Sequence, residues 1–133
     1  MHDEYQFLKE MIEKDPFINY VQIKVEDIQK GYAKLSMPFR KEITRLGDIA
    51  NGGAIATLAD TAGGTSVLSY LEWKNQVTLN LEIDYLEPVS NGPVTAEARV
   101  IRKGKNVVFS GIEIRDGNGK LCAVARGVWF IKD

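Results

Sequence analysis

Residues 51–73, NGGAIATLADTAGGTSVLSYLEW, decide the fold. Asn51 is a good helix N-cap, and the stretch behind it is long enough for a helix. The stretch is small or apolar nearly all round, so the helix is expected to be buried on most sides. Gly63 and Gly64 each cost such a helix about 1 kcal/mol relative to Ala. Close approach of another backbone or of a ligand is the usual compensation, which makes Gly64 a candidate ligand contact. Few charges lie in residues 53–71, but the glycines, threonines, serines and central Asp60 argue against a membrane span.

Outward from this helix, both flanks read as simple elements. Residues 4–14 carry Phe7, Leu8, Met11 and Ile12 on one helical face, and Asp15-Pro16 is expected to end that helix. Residues 20–28 and 31–39 read as two strands joined at Gly31, and residues 40–50 as a loop. After the long helix, strands are expected at 77–87, 94–101, 107–115 and 120–131. Turns at Pro88–Pro93, Arg102–Lys105 and Asp116–Gly119 separate them. The class is therefore α+β in one domain, residues 1–133. An antiparallel sheet of about six strands wraps one long central helix, with a further helix at the N-terminus. Free sheet edges invite pairing between subunits, so a homodimer or homotetramer is expected.

Composition narrows the chemistry. The chain has 133 residues, 44% hydrophobic and 26% charged. Lys plus Arg number 17 and Asp plus Glu 18, so no basic footprint for nucleic acid or membrane surface is present. Cys122 is the one cysteine and the N-terminus lacks a signal-peptide pattern, which fits a reducing cytoplasm. The one histidine is His2, near the chain end. No Ser-His-Asp or Cys-His group can form inside the domain, and one His with one Cys cannot build a four-ligand metal site. Neither a Walker loop nor GxGxxG occurs. No metal and no cofactor are expected. The chemistry must come from carboxylates, backbone amides, hydroxyls, carboxamides, Lys or Arg.

Asp60 stands out as the only charge within a buried apolar helix. A buried carboxylate is either compensated by a structural partner or has a task. Ala56, Thr57, Gly63 and Gly64 are small, so a ligand can approach it closely. The second feature is Asn51-Gly52-Gly53. A helix N-terminus offers unpaired N–H groups and a positive dipole end, and glycines leave those amides open, as in an oxyanion hole. The plainer reading is an N-cap with two flexible glycines. Gly52 and Asp60 are eight residues apart, roughly 12 Å along a helix. One site cannot easily use both from one helix. Antiparallel helices in a two-fold dimer bring Gly52 of one chain near Asp60 of the other.

The segment Leu46–Ala62, LGDIANGGAIATLADTA, resembles the signature of hotdog-fold thioesterases of the phenylacetate-pathway and 4-hydroxybenzoyl-CoA kind. Their pattern is His-Gly-Gly, a small apolar stretch, then Leu-x-Asp. Thr78–Pro88, the Gly92 turn, Ala96–Arg99 and Asp116–Lys120 resemble the same family. The resemblance implies a hotdog fold and hydrolysis of an acyl-CoA thioester. Asp60 then matches the general base or nucleophile, and Gly52 the glycine whose N–H polarises the thioester carbonyl. Thr78 matches a hydroxyl that helps place the attacking water. Asn51 stands where the family has His, and Gly53 follows in the same motif. Arg102, Lys103 and Lys105 fall in a loop that often meets CoA phosphates, although a solvated basic hairpin explains them equally well. Arg45 stands where an amide residue is expected. Two other activities fit the fold: acyl-CoA binding without turnover, favoured by Asn51, and hydration of an acyl thioester, disfavoured by the lack of an interior His. Tyr70, Trp73, Phe109, Trp129 and Phe130 could line an aromatic pocket or belong to the core.

Overall fold

The computed structural model describes residues 3–72 and 75–132, so His2 and Trp73 lie outside the described residues. Helix α1 spans Asp3–Glu13, α2 Pro16–Val21 and α3 Gly52–Leu68. The strands are β1 Lys24–Gln29, β2 Tyr32–Met37, β3 Thr44–Arg45, β4 Ile49–Ala50, β5 Asn75–Tyr85, β6 Val94–Lys103, β7 Val107–Arg115 and β8 Leu121–Lys132. Six of them form one antiparallel sheet in the order β1-β2-β6-β7-β8-β5, and β3 pairs with β4 in a separate small hairpin. Among the described residues no helix is long and apolar enough to cross a membrane.

Helix α3 lies in the concave face of the sheet and packs on β2, β5, β6 and β7. Its Leu58, Ala59, Ala62 and Val67 are fully buried. They meet a sheet face built from alternate residues, Leu35 and Met37 of β2, Ala96 and Ala98 of β6, and Ile112 and Ile114 of β7. The alanines of β6 let the helix sit close. Each large aliphatic side chain here stabilises the fold by about 1.5–3 kcal/mol.

The two helix glycines are explained by Trp129. A Cβ on Gly63 would lie 2.2 Å from Cη2 of the Trp129 indole, and one on Gly127 would lie 2.3 Å from the same atom. The ring is clamped between helix and strand at two positions where only a hydrogen fits. At Gly64 a Cβ would lie 2.5 Å from the Gln76 amide nitrogen. Gly64 is thus buried against the chain's own Gln76 and Trp129, with the end of the Gln76 side chain the nearest neighbour. Trp129 and half-buried Phe109 belong to the sheet, Trp129 to its inner face.

Two local expectations need correction. Asp15-Pro16 ends α1, but it also starts α2, which replaces the beginning of the strand expected at 20–28. Asp15 Oδ1 accepts from the N–H groups of Phe17 (3.1 Å) and Ile18 (3.2 Å), and Pro16 fills the first helical position, where its missing N–H costs nothing. The stretch 40–50 is also not plain loop. Gly47 (φ +93°) and Asp48 (φ +57°) adopt the left-handed conformation and close the β3–β4 hairpin.

β5 is an edge strand. One side pairs with β8, and the other has no partner among the described residues. Val77, Leu79 and Tyr85 on it are about half exposed. An apolar, eleven-residue free edge is a ready template for a second strand.

Candidate functional site

Asp60 sits midway along α3, half-buried, on the side of the helix that faces the start of β5. The Thr78 hydroxyl donates to Asp60 Oδ1 at 2.7 Å. Oδ2 has no hydrogen-bond partner among the described residues. The structure thus brings together two of the residues singled out in the sequence, one from the buried helix and one from the free-edge strand. Asp60 opens into a cleft of about 630 Å³ between α3 and the α1–α2 pair. Its other walls come from Met11, Phe17, Ile18, Leu68 and Gln76.

The start of α3 is more selective than the sequence suggests. Asn51 is the N-cap, and its Oδ1 accepts from the Gly53 N–H at 2.7 Å. The N–H groups of Ala54 and Ile55 bond to the Asn51 carbonyl. The Gly53 amide is therefore spent within the cap rather than open to a ligand. Gly52 is different: its N–H has no acceptor among the described residues. Its carbonyl accepts from the Tyr85 hydroxyl at 2.7 Å. That bond ties the helix start to the far end of β5. A Cβ on Gly52 would rest 3.6 Å from the Tyr85 ring, an ordinary contact, so the glycine is not demanded by packing. The unpaired N–H at the positive end of a seventeen-residue helix is what makes this position chemically useful.

Gly52 lines a second cleft of about 270 Å³ with Arg45, Tyr85, Glu87 and Cys122. Within the one chain, then, Gly52 and Asp60 face different clefts. Arg45, noted in the sequence as standing in an unexpected place, reaches the Gly52 side, with its Nη1 donating to the Leu46 carbonyl at 2.6 Å. Burial pushes the Cys122 thiol above its ordinary pKa, so this cysteine is a small apolar wall rather than a nucleophile.

The basic hairpin is only partly free. Lys103 pairs with Glu72 at 3.0 Å and stands over the Tyr70 ring at 5.3 Å. Arg102 and Lys105 are exposed at the same β6–β7 turn. Three contributors escaped sequence reading. Tyr85 read only as one more residue in the β5 alternation. Gln76 had no pattern that marked it, and Asp15 was marked only as a helix stop. Among the described residues no group of three or more His, Cys, Asp or Glu is placed to hold a metal.

Comparison with known proteins agrees with this fold. The family model described as "Thioesterase superfamily" matches residues 47–123, from the β3–β4 hairpin to β8. A protein of Saccharolobus solfataricus named "Putative esterase SSO2140" is 38% identical over 132 residues, covering 98% of this chain and 94% of that protein. One of Thermoplasma acidophilum named "Putative esterase Ta0293" is 35% identical over 93% of this chain and 94% of its own length. Among solved structures, thioesterase HI1161 of Haemophilus influenzae superposes with a TM-score of 0.88 at 26% identity, covering 96% of this chain and 90% of that one. The E. coli PaaI protein, from the phenylacetic acid degradation operon, also reaches 0.88, at 27% identity over 97% and 93% of the two chains. The fold is the hotdog fold that the sequence resemblance implied.

Proposed function

This chain belongs to the thioesterase superfamily, and we propose that it hydrolyses an acyl-CoA thioester to the free acid and CoA at composite sites of a homodimer. The carrying observation is the division of the site's parts. The carboxylate with a free oxygen, Asp60, and the unpaired amide, Gly52, face different clefts of one protomer. Pairing of two β5 edges about a two-fold axis joins the sheets and runs the two α3 helices antiparallel. It covers the exposed Val77 and Leu79 and sets Asp60 of each chain toward Gly52 of the other.

In this arrangement the thioester carbonyl oxygen accepts from the Gly52 N–H of one protomer. The Asp60 carboxylate of its partner takes a proton from water as the water oxygen bonds to the carbonyl carbon. The resulting oxyanion is held by the amide and the helix dipole. Collapse breaks the C–S bond, and the departing thiolate receives the proton from Asp60. Thr78 holds Oδ1 by donation, leaving Oδ2 for the water. Direct attack by Asp60 on the carbonyl uses the same geometry and passes through an anhydride. General-base help and one oxyanion donor are each worth about 100-fold or more. The exposure of Arg102 and Lys105 at the β6–β7 turn supports a contact with CoA phosphates. The buried free Cys122 suits a reducing cytoplasm.

The test is a panel of acyl-CoA esters offered to the wild type and to Asp60→Asn. Hydrolysis by the wild type with a loss of 100-fold or more in the variant supports the reading. Tight binding of CoA esters without turnover supports the alternative, a non-catalytic acyl-CoA-binding protein, which the neutral Asn51 side chain favours.

A further inference from the structure

The clefts beside Asp60 and Gly52 differ in charge and in wall chemistry. The Asp60 cleft, about 630 Å³, is in the size range that holds small ligands. Apolar side chains of α1 and α2, namely Met11, Ile12, Phe17 and Ile18, form one wall, and Leu68 of α3 adds to it. The charged residues in its lining, among the described residues, are Asp15 and Asp60, both acidic. The smaller Gly52 cleft carries one charge of each sign, Arg45 and Glu87.

The opposite wall is a row of threonines whose protons are already committed. Thr57 donates to the Gly53 carbonyl at 2.9 Å, Thr61 to Thr57 at 2.7 Å and Thr65 to Thr61 at 2.7 Å. These side chains therefore present methyl groups and acceptor oxygens to the cleft, and no hydroxyl donor. A carboxylate or phosphate entering here would meet two carboxylates, and only the neutral amides of Asn75 and Gln76 as donors.

We propose that this cleft takes the acyl group, and that it selects neutral, medium-length acyl groups over those that end in a carboxylate. The inference rests on the acyl-CoA thioesterase reading and deepens it. The carbonyl carbon must reach Asp60, so one of its two substituents lies in this cleft. The CoA arm begins with pantetheine, whose amides and hydroxyl would leave water for a wall of Met11, Ile12, Phe17, Ile18 and Leu68 that offers them no side-chain hydrogen bond. The acyl arm is the one the apolar wall stabilises, because each methylene gains by leaving water. Asp15 is the residue that separates a methyl terminus from a carboxylate terminus. Its charge acts at the cleft wall through partly screened electrostatics.

The experiment compares kcat/KM for hexanoyl-CoA and adipoyl-CoA, which have equal carbon number and differ in the terminal carboxylate. It uses the full chain, as wild type and as Asp15→Asn. Asn caps a helix as well as Asp does, so the variant keeps α2 while losing the charge. Wild type is expected to favour hexanoyl-CoA about tenfold or more, and Asp15→Asn to narrow that ratio about threefold or more. A second variant, Ile18→Ala, widens the apolar wall and is expected to move the preference toward octanoyl-CoA over hexanoyl-CoA. Equal use of adipoyl- and hexanoyl-CoA by the wild type overturns the inference. So do an unchanged ratio in Asp15→Asn and an unchanged chain-length preference in Ile18→Ala. Those results leave the thioesterase reading standing, whereas a wild type that cleaves no acyl-CoA in the panel overturns both.

Discussion

The Thr78 hydroxyl donates to Oδ1 of Asp60 at 2.7 Å, joining the middle of the buried helix to the free-edge strand. Thr78 fixes one carboxylate oxygen, and in the proposed mechanism this leaves Oδ2 as the oxygen that takes the proton from water. Thr78→Val removes the donor and keeps the shape. A loss of about tenfold in kcat is expected, from one hydrogen bond to a charged group worth about 1.5 kcal/mol or more. Thr78→Ser is expected to restore most of it. Steady-state kinetics with any cleaved acyl-CoA gives both values. Equal rates for Val and Ser variants contradict a positioning role.

Gly63 predicts a packing effect with a rescue. Ala at this position gains about 1 kcal/mol of helix propensity. Its Cβ, however, would meet the Trp129 ring at 2.2 Å and 2.5 Å, and a clamped indole cannot step aside. Gly63→Ala is expected to destabilise the protein by about 2 kcal/mol or more, since overpacking outweighs propensity. Trp129→Phe removes the atoms in conflict. Denaturant unfolding of the double variant is expected to show a smaller penalty than the two single changes added together.

Asp116 predicts an acid-side effect. Its Oδ1 accepts from the N–H groups of Lys120 and Asn118, both at 2.9 Å, in the β7–β8 turn. These bonds, with that of Lys120 the larger influence, hold its pKa below the ordinary carboxylate value of 3.8. A depressed folded pKa gives stability that is present above the unfolded value and lost as pH falls through the folded one. Below about pH 4 the wild type should lose stability more steeply than Asp116→Asn, whose amide oxygen accepts the same two bonds without titrating. Thermal melts from pH 5 to pH 2 check the slopes. Parallel curves contradict the assignment.

Most of the fold was legible because it rests on patterns that repeat. The apolar stretch after Asn51 gave α3, and the alternation in 77–131 gave four strands within a few residues of their ends. What escaped were single hydrogen bonds and packing at a distance. Asp15-Pro16 signals a helix end and a helix start alike, and only the capping bonds to Phe17 and Ile18 separate them. Gly63 and Gly64 announced a close approach, yet nothing near them in sequence names Trp129, more than sixty residues on. At the site, Asp60 and Gly52 were visible as a lone charge and a glycine pair at a helix start. The Tyr85 bond to the Gly52 carbonyl, and the loss of the Gly53 amide to Asn51, depend on how β5 and the cap lie in space.

The composite site is tested most directly by mixing two inactive chains. Gly52→Pro removes the proposed oxyanion donor but keeps the helix, because proline suits the first helical position and Asn51 already has the extended conformation that precedes proline (φ −63°, ψ 134°). Gly52→Ala keeps the N–H and serves as the control. Gly52→Pro and Asp60→Asn are each expected to lose about 100-fold in kcat or more. Unfolded and refolded together in equal amounts, they are expected, on the proposed dimeric assembly, to form mixed dimers that hold one intact Gly52 and one intact Asp60 on opposite chains. If each site draws Gly52 from one chain and Asp60 from the other, every mixed dimer regains one working site, and the mixture recovers about a quarter of wild-type activity. If the two residues serve within one chain, the mixture stays as inactive as its parents.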